Sequence, residues 1–287
     1  MSQGLCRVVD ALAGVSGADA RLEAEVLLAH AMGFTRTGLY RELARPINKQ
    51  ARQRYEALVE RRLRHEPLAY IVGHKEFYGL DLLVDRRVLI PRPETEMLVE
   101  IAVERLRDGP CLIADIGTGS GALAVALATH LPKATVYAVD SSHEALEVAR
   151  ENVRRHGMEA RVLLLHGDLL EPLAGPVDAI VANLPYIPSA RLAGLQPEVA
   201  QSEPLEALDG GADGLAVYRR LLALSPVKLR PGGFLLAEID AEQSQAAKTL
   251  AALLFPTAMT AVIPDYAGLP RVLSITMPRP DASGREG

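Results

Sequence analysis

The chain has 287 residues, with 31 Lys and Arg against 36 Asp and Glu, a formal net charge of −5 and 49% hydrophobic residues. That length holds one large domain or two modest ones with an ample core, and the mildly acidic balance, with a pI near 5.9, argues against direct nucleic-acid binding. Cys6 and Cys111 stand far apart and the seven His residues fall in no ligand spacing, which excludes a disulfide scaffold and gives no sign of a metal centre. The opening M-S-Q-G-L-C-R-V-V-D lacks a basic start leading into an apolar run, and no later segment is an uncharged apolar span of membrane length. The expectation is a soluble cytoplasmic protein without a membrane partner.

Residues 1–75 read as a small helical domain. Asp19 is placed to cap a helix in which Leu22, Val26, Leu27 and Met32 recur at helical spacing until Gly33, and Tyr55, Leu58, Val59 and Leu63 repeat the pattern. Residues 76–93 combine β-rich positions with a turn at Gly79, then Pro91 and Pro93, and predict a β-hairpin linker closed by a proline hinge. From 94 to 278 a helix through Met97, Leu98, Ile101, Ala102 and Leu106 leads into alternating strand-like runs and helices. The runs are 112–116, 136–139, 162–165, 179–182, 234–239 and 271–276. Such alternation predicts an α/β domain with a mostly parallel sheet covered on both faces. Residues 279–287 read as a disordered tail.

The first run ends in A-D-I-G-T-G-S-G, followed by an Ala/Leu helix. Gly117, Gly119 and Gly121, with Thr118 and Ser120 between them, allow a sharp turn and close approach of a ligand to the backbone. The bland alternative is a tight strand-to-helix turn. Asp140 ends the next strand 19 residues after the last glycine, where a carboxylate can accept both ribose hydroxyls. The spacing is G-x-G-x-G rather than the dinucleotide G-x-G-x-x-G. Asp115, just before it, suits the ammonium of a methionine moiety better than a pyrophosphate. S-adenosylmethionine is therefore favoured, with S-adenosylhomocysteine as its product. After the third strand H-G-D-L-L offers Asp168 to an adenine amino group and Leu169 to its ring, although Asp168 reads equally well as a turn cap.

The fourth strand ends in Asn183-Leu184-Pro185-Tyr186. A planar –NH₂ whose lone pair is delocalised is a poor nucleophile that needs orientation more than a strong base. The Asn183 side-chain oxygen and the Leu184 backbone carbonyl can accept its two N–H bonds, while Tyr186 stacks on the substrate or contacts the sulfonium region. Without the upstream loop, an Asn turn with a buried Tyr explains the stretch as well. Glu94 and Glu96 read as helix-starting carboxylates, and Glu198, Glu203 and the cluster Arg61, Arg62, Arg64 as solvated surface.

Taken together, D-I-G-T-G-S-G, V-D-S-S, H-G-D and N-L-P-Y resemble the ordered motifs of Rossmann-like methyltransferases acting on planar amino groups. The blocks V-L-I-P-R-P-E-T-E-M-L-V-E and E-P-L-E-A-L-D-G-G-A-D-G-L-A-V-Y-R-R, with R-R-L-R-H-E-P-L-A-Y-I-V-G-H-K-E-F-Y-G-L before them, resemble bacterial peptide chain release factor glutamine methyltransferases nearly end to end. The resemblance implies a Rossmann-like class I methyltransferase sheet, mostly parallel with an antiparallel last strand. It also implies methylation of the glutamine amide nitrogen in the Gly-Gly-Gln motif of class I release factors, with the helical domain docking that partner. Gly117 to Gly121, Asp140, Asp168 or Leu169, and Asn183 would bind the cofactor, and Asn183 to Tyr186 the amide. Two positions depart from the family pattern: Leu184, where proline is usual, and Asp240, in a loop where glycine is common. A glutamine in a ribosomal protein, an amine in RNA or DNA, and a non-catalytic cofactor-binding module are the competing readings.

Overall fold

The computed structural model describes residues 2–42, 47–106 and 109–279, and forms two compact units, Met1–His74 with Gln196–Ser202 and Lys75–Leu195 with Glu203–Gly287. The expected tail lies, from residue 280 on, outside the described residues.

In the first unit, α1 (Ser2–Ser16), α2 (Ala20–Met32), α3 (Arg36–Glu42), α4 (Lys49–Leu63) and α5 (Leu68–Val72) bury Leu12, Leu27, Leu28, Leu39 and Tyr55 together. Gly33 ends α2 in the left-handed conformation, with φ 72°. Asp19 stands at the N-cap position of α2 but its side chain makes no capping bond, because a 3-10 turn over Gly17–Asp19 already carries its backbone into helical geometry. Leu22 faces outward, and Glu25 takes an inward position instead. That carboxylate is tolerated because Tyr40 (2.6 Å), Arg36 (3.0 Å) and Arg21 (3.2 Å) all donate to it. The basic cluster is likewise not a solvated face throughout. Arg62 is 2% exposed and donates to Glu23 at 2.7 Å, with Glu198 of the Gln196–Ser202 segment 2.9 Å away.

In the second unit, β1 (His74–Phe77) and β2 (Leu80–Leu83) form the expected hairpin, turning through Tyr78 and Gly79, both at positive φ. Glu96 accepts from the Tyr78 N–H at 3.0 Å, so a side chain from the next helix holds the strained turn residue. Pro93 follows the hairpin outside any strand. It opens a 3-10 turn, Pro93–Thr95, that runs into α6 (Glu96–Leu106), where a missing N–H costs nothing.

Among the described residues the main sheet has seven strands: β3 (Cys111–Ile116), β4 (Ala134–Asp140), β5 (Val162–His166), β6 (Val177–Ala182), β7 (Leu229–Glu238), β8 (Met259–Pro264) and β9 (Pro270–Thr276). Their order is β5-β4-β3-β6-β7-β9-β8, with β9 antiparallel to both neighbours and the rest parallel. β8 escapes a reading based on apolar runs because it is an edge strand that alternates exposed with half-buried positions. Ile113, Val136, Val181 and Leu236 face α6, α7 (Ala122–His130) and α8 (His143–Arg155). Ile116, Val139, Ile180 and Leu235 face the helices Ala216–Leu224 and Ser244–Leu254. Residues Ala122–Ala128 of α7 are all buried, as a helix apolar all round requires.

β3 lies between β4 and β6, so the chain turns to opposite sides after successive strands from this point. Ile116 pairs with Val139 and with Ala182, and Ala182 with Ala237. The next residues, Gly117, Asp140, Asn183 and Glu238, therefore emerge side by side at the carboxyl end of the sheet. A slip of one residue in any strand would turn its chemistry to the wrong face.

Asn152 of α8, fully buried, joins the hairpin to the glycine loop. Its Oδ1 accepts from Leu83 N at 2.7 Å, and its Nδ2 donates to Leu83 O (2.9 Å) and Ser120 O (2.8 Å). Asn152→Ala strands these buried backbone groups and is expected to cost about 3 kcal/mol, read as a shift in the urea midpoint at unchanged slope.

Candidate active site

The glycine loop leaves β3 and is tied at once to the end of β4, because Gly117 N and Thr118 N both donate to Val139 O, at 2.9 and 3.0 Å. Gly117 has φ 73°, a left-handed conformation that favours glycine, and a Cβ there would stand 2.8 Å from Leu184 Cδ2 and push that side chain aside. Asp140 completes the tie. Its Oδ2 accepts from Gly119 N at 2.8 Å and its Oδ1 from Ser142 N at 2.9 Å, which fixes the carboxylate while leaving lone pairs on both oxygens.

Gly117, Gly119, Asp140, Asp168, Leu169, Asn183, Leu184 and Pro185 line one cavity of about 240 Å³ within the second unit. The structure thus brings together most of the residues singled out in the sequence. Thr118, Ser120 and Gly121 lie behind the lining: Thr118 and Ser120 are buried, and Gly121 is the N-cap of α7. Asp115 is also beneath the loop, at 0% exposure, with Oδ2 accepting from Thr118 Oγ1 (2.6 Å) and Ala124 N (3.1 Å). Its Oδ1 has no hydrogen-bond partner among the described residues. Burial pushes this carboxyl up to about 7, with the nearby Asp140 charge adding to the effect against the two hydrogen bonds. A wider cavity of about 730 Å³, beside Cys111, Asp178 and Phe234, opens at the other end of the strands and holds none of these residues.

The Asp168 carboxylate pairs with Arg220, a cavity-lining residue of the Ala216–Leu224 helix. Leu169 adopts a left-handed φ of 48°, an unusual cost for a β-carbon residue, spent at the cavity wall. Tyr186 is not in the cavity lining. Its hydroxyl donates to Glu238 Oε1 at 3.3 Å, and burial, followed by the Glu238 charge, raises the phenol well above its ordinary range. The phenol therefore stays protonated and is not a base.

Behind N-L-P-Y lies a set of groups that residue-by-residue reading missed. Asn183 Nδ2 donates to Thr95 Oγ1 at 2.9 Å, and Thr95 Oγ1 donates to Glu238 Oε2 at 2.7 Å. Leu184 N donates to the Tyr218 hydroxyl at 3.1 Å, and that hydroxyl has Glu238 O and Leu184 O as acceptors. Gln243 Nε2 donates to Tyr186 O at 2.7 Å and to Asp213 O at 3.3 Å. Asp240 enters indirectly: it caps the 3-10 turn Ala241–Gln243 and its N–H holds the Gln243 side chain. Gly214, at φ 76°, has no room for a Cβ, which would meet Tyr186 O at 2.1 Å. One signal was legible: Glu238 is the lone charge in the apolar run F-L-L-A-E-I. Glu203 is also not solvated surface; it is buried and paired with Arg92 of the proline segment.

Among the described residues no helix is long and apolar enough to cross a membrane, and no cluster of side chains has the makings of a metal site. Residues 5–73 match the model of the PrmC N-terminal domain and residues 94–195 that of the methyltransferase small domain. The chain is 49% identical to a release factor glutamine methyltransferase of Moorella thermoacetica, over 94% of this chain and 96% of the relative. It is 48% identical to one of Geobacter sulfurreducens, over 79% of each. A methyltransferase from Pyrococcus furiosus shares the fold, with TM-score 0.53 and 20% identity over 71% of this chain and 92% of that one.

Asp115 has a folded-state pKa near 7 against 3.8 for an ordinary aspartate, so the fold favours its protonated form. The stability this contributes is fully present below about pH 4 and is lost as pH rises to about 7. Asp115→Asn removes the term, and its stability relative to the parent, from urea unfolding, is expected to climb between pH 4 and 7 and then level off. A difference independent of pH would mean that Asp115 does not titrate in this range.

Proposed function

The chain belongs to the release factor glutamine methyltransferase family, and from that premise we propose that it methylates the side-chain amide nitrogen of the glutamine in the Gly-Gly-Gln motif of class I peptide chain release factors. What carries the reading is one juxtaposition: the Asn183-Leu184-Pro185 strand end lines the same cavity as Gly117, Gly119 and Asp140.

S-adenosylmethionine supplies an electrophilic methyl group on a cationic sulfur, and leaves as S-adenosylhomocysteine. The residues present fit that molecule. Asp140 offers fixed carboxylate lone pairs to a ribose, the Gly117 backbone has no Cβ to keep a ligand away, and Leu169 supplies an apolar wall. Beneath the loop, Asp115 with its orphaned Oδ1 places a buried carboxyl that, when ionised, would draw a cationic ligand end toward it, with Thr118, Ser120 and Gly121 shaping the loop above. Asp168, tied to Arg220, is available to an adenine amino group through its remaining lone pairs.

The chain's own contribution to the reaction is orientation. Asn183 Oδ1 and Leu184 O accept the two N–H bonds of the glutamine amide, which holds its plane and directs the nitrogen lone pair at the methyl carbon. Pro185 keeps the preceding backbone extended, so Leu184 presents its carbonyl as a proline at that position would. Tyr186 walls the site from behind as a neutral phenol rather than taking the proton, which leaves to solvent once the nitrogen is alkylated and acidic. Residues 1–75 serve as the docking domain for the release factor, 76–93 as the linker and 94–278 as the methyltransferase domain, in a cytoplasmic enzyme without metal or nucleic-acid partner.

Asn183→Ala is expected to lower methyl transfer by about 100-fold or more with the melting temperature retained. The assay uses radiolabelled S-adenosylmethionine with a purified class I release factor, its motif Gln-to-Ala variant, a ribosomal protein and RNA in parallel. Label on RNA alone, or equally on the motif variant, would overturn the assignment.

A further inference from the structure

Thr95 and Glu238 are 5% and 1% exposed and neither lines the cavity, so neither meets the substrate. Yet both are bonded into the residues that do. We propose that Thr95 and Glu238 are positioning residues that dictate which end of the Asn183 side-chain amide faces the substrate, an inference that rests on the amide clamp described above.

Burial raises the Glu238 carboxyl against the lowering bond from Thr95, and whenever Oε2 carries no proton it can only accept, so the single proton of the Thr95 hydroxyl goes to it, along the 2.7 Å contact. Toward Asn183, 2.9 Å away, Thr95 Oγ1 then has only lone pairs to offer. Only the NH₂ end of an amide can donate to it. Nδ2 is thereby drawn to the interior and Oδ1 is left as the acceptor for the substrate –NH₂. With the amide reversed, donor hydrogens would face donor hydrogens and the clamp would have a single acceptor. A proton on Oε1 leaves this direction intact, because Oε2 still takes the Thr95 hydroxyl, whereas a proton on Oε2 would reverse it.

The same residue governs the other half of the clamp. Glu238 Oε1 accepts from the Tyr186 hydroxyl, and Glu238 O is the nearer acceptor for the Tyr218 hydroxyl. Tyr218 has one proton, and once it is directed to Glu238 O the Leu184 carbonyl remains available to substrate. Tyr218 meanwhile holds Leu184 N by its own lone pair. A single position at the end of β7 thus sets the polarity of both proposed acceptors, one through its side chain and one through its backbone.

Thr95→Val keeps shape but removes the hydroxyl, Thr95→Ser restores it, and Glu238→Gln introduces an NH₂ that can reverse the direction of donation. Steady-state methylation of a purified class I release factor is compared with calorimetric binding of S-adenosylhomocysteine and with melting temperature. Thr95→Val and Glu238→Gln are expected to lower kcat by about 10- to 100-fold, with KM for the release factor and cofactor affinity within about 2-fold of the parent, and Thr95→Ser to recover most of the rate. A Thr95→Val enzyme at full kcat, beside an inactive Asn183→Ala, would overturn the positioning role and leave the clamp standing. A loss in Thr95→Val that Thr95→Ser does not repair would mark a packing role and overturn it equally. An Asn183→Ala enzyme at full activity would remove the clamp, and the positioning role with it.

Discussion

The parallel register of four strands is the constraint on which the rest depends. Because Ile116, Val139, Ala182 and Ala237 are paired across β4, β3, β6 and β7, the residues after them leave the sheet at one level. Each then does what its type allows. Gly117 turns, Asp140 ties the turn down, Asn183 presents an amide, and Glu238 stays inside to hold what surrounds it. None of these residues is close to another in sequence, and no loop brings them together. The sheet does, using backbone hydrogen bonds and apolar side chains that carry no chemistry of their own.

This division of labour explains what could be read in advance. Strand interiors are apolar and strand ends carry glycine, Asp or Asn, so the alternation from residue 112 on and the line of candidate residues were legible locally. Edge strand β8 was not, since half its side chains face water and the apolar signal is diluted. Buried charges were the other blind spot. Arg62, Glu203 and Glu25 look like surface by type, and apart from Arg21, four residues before Glu25, the partners that make burial tolerable, Glu198, Arg92 and Arg36 with Tyr40, lie beyond local reach. Thr95 and Glu238 stand 143 residues apart in the chain, beyond any local pattern.

Leu184 shows how a departure from a family motif is absorbed. Its side chain packs against Gly117, where a β-carbon would crowd it, and its N–H, which a proline would lack, is taken up by Tyr218. The substitution adds a donor to a buried place and the structure supplies an acceptor for it, so no polar group is stranded. What the motif loses in stiffness is returned as a hydrogen bond to a side chain that is itself fully enclosed.

The Asn152 side chain, described above as a join, is also a mechanical link. Leu83 in the hairpin is held by both ends of one rigid amide group, and Ser120 in the glycine loop shares the Nδ2 end, so the two backbones are tied through a single side chain. A hairpin that reads in sequence as a mere connector thereby shares its local unfolding equilibrium with the ligand-facing loop. Ligand that quiets the loop must slow solvent exchange at the Leu83 amide as well, and damage to the hairpin must loosen the loop, although the two lie far apart along the chain.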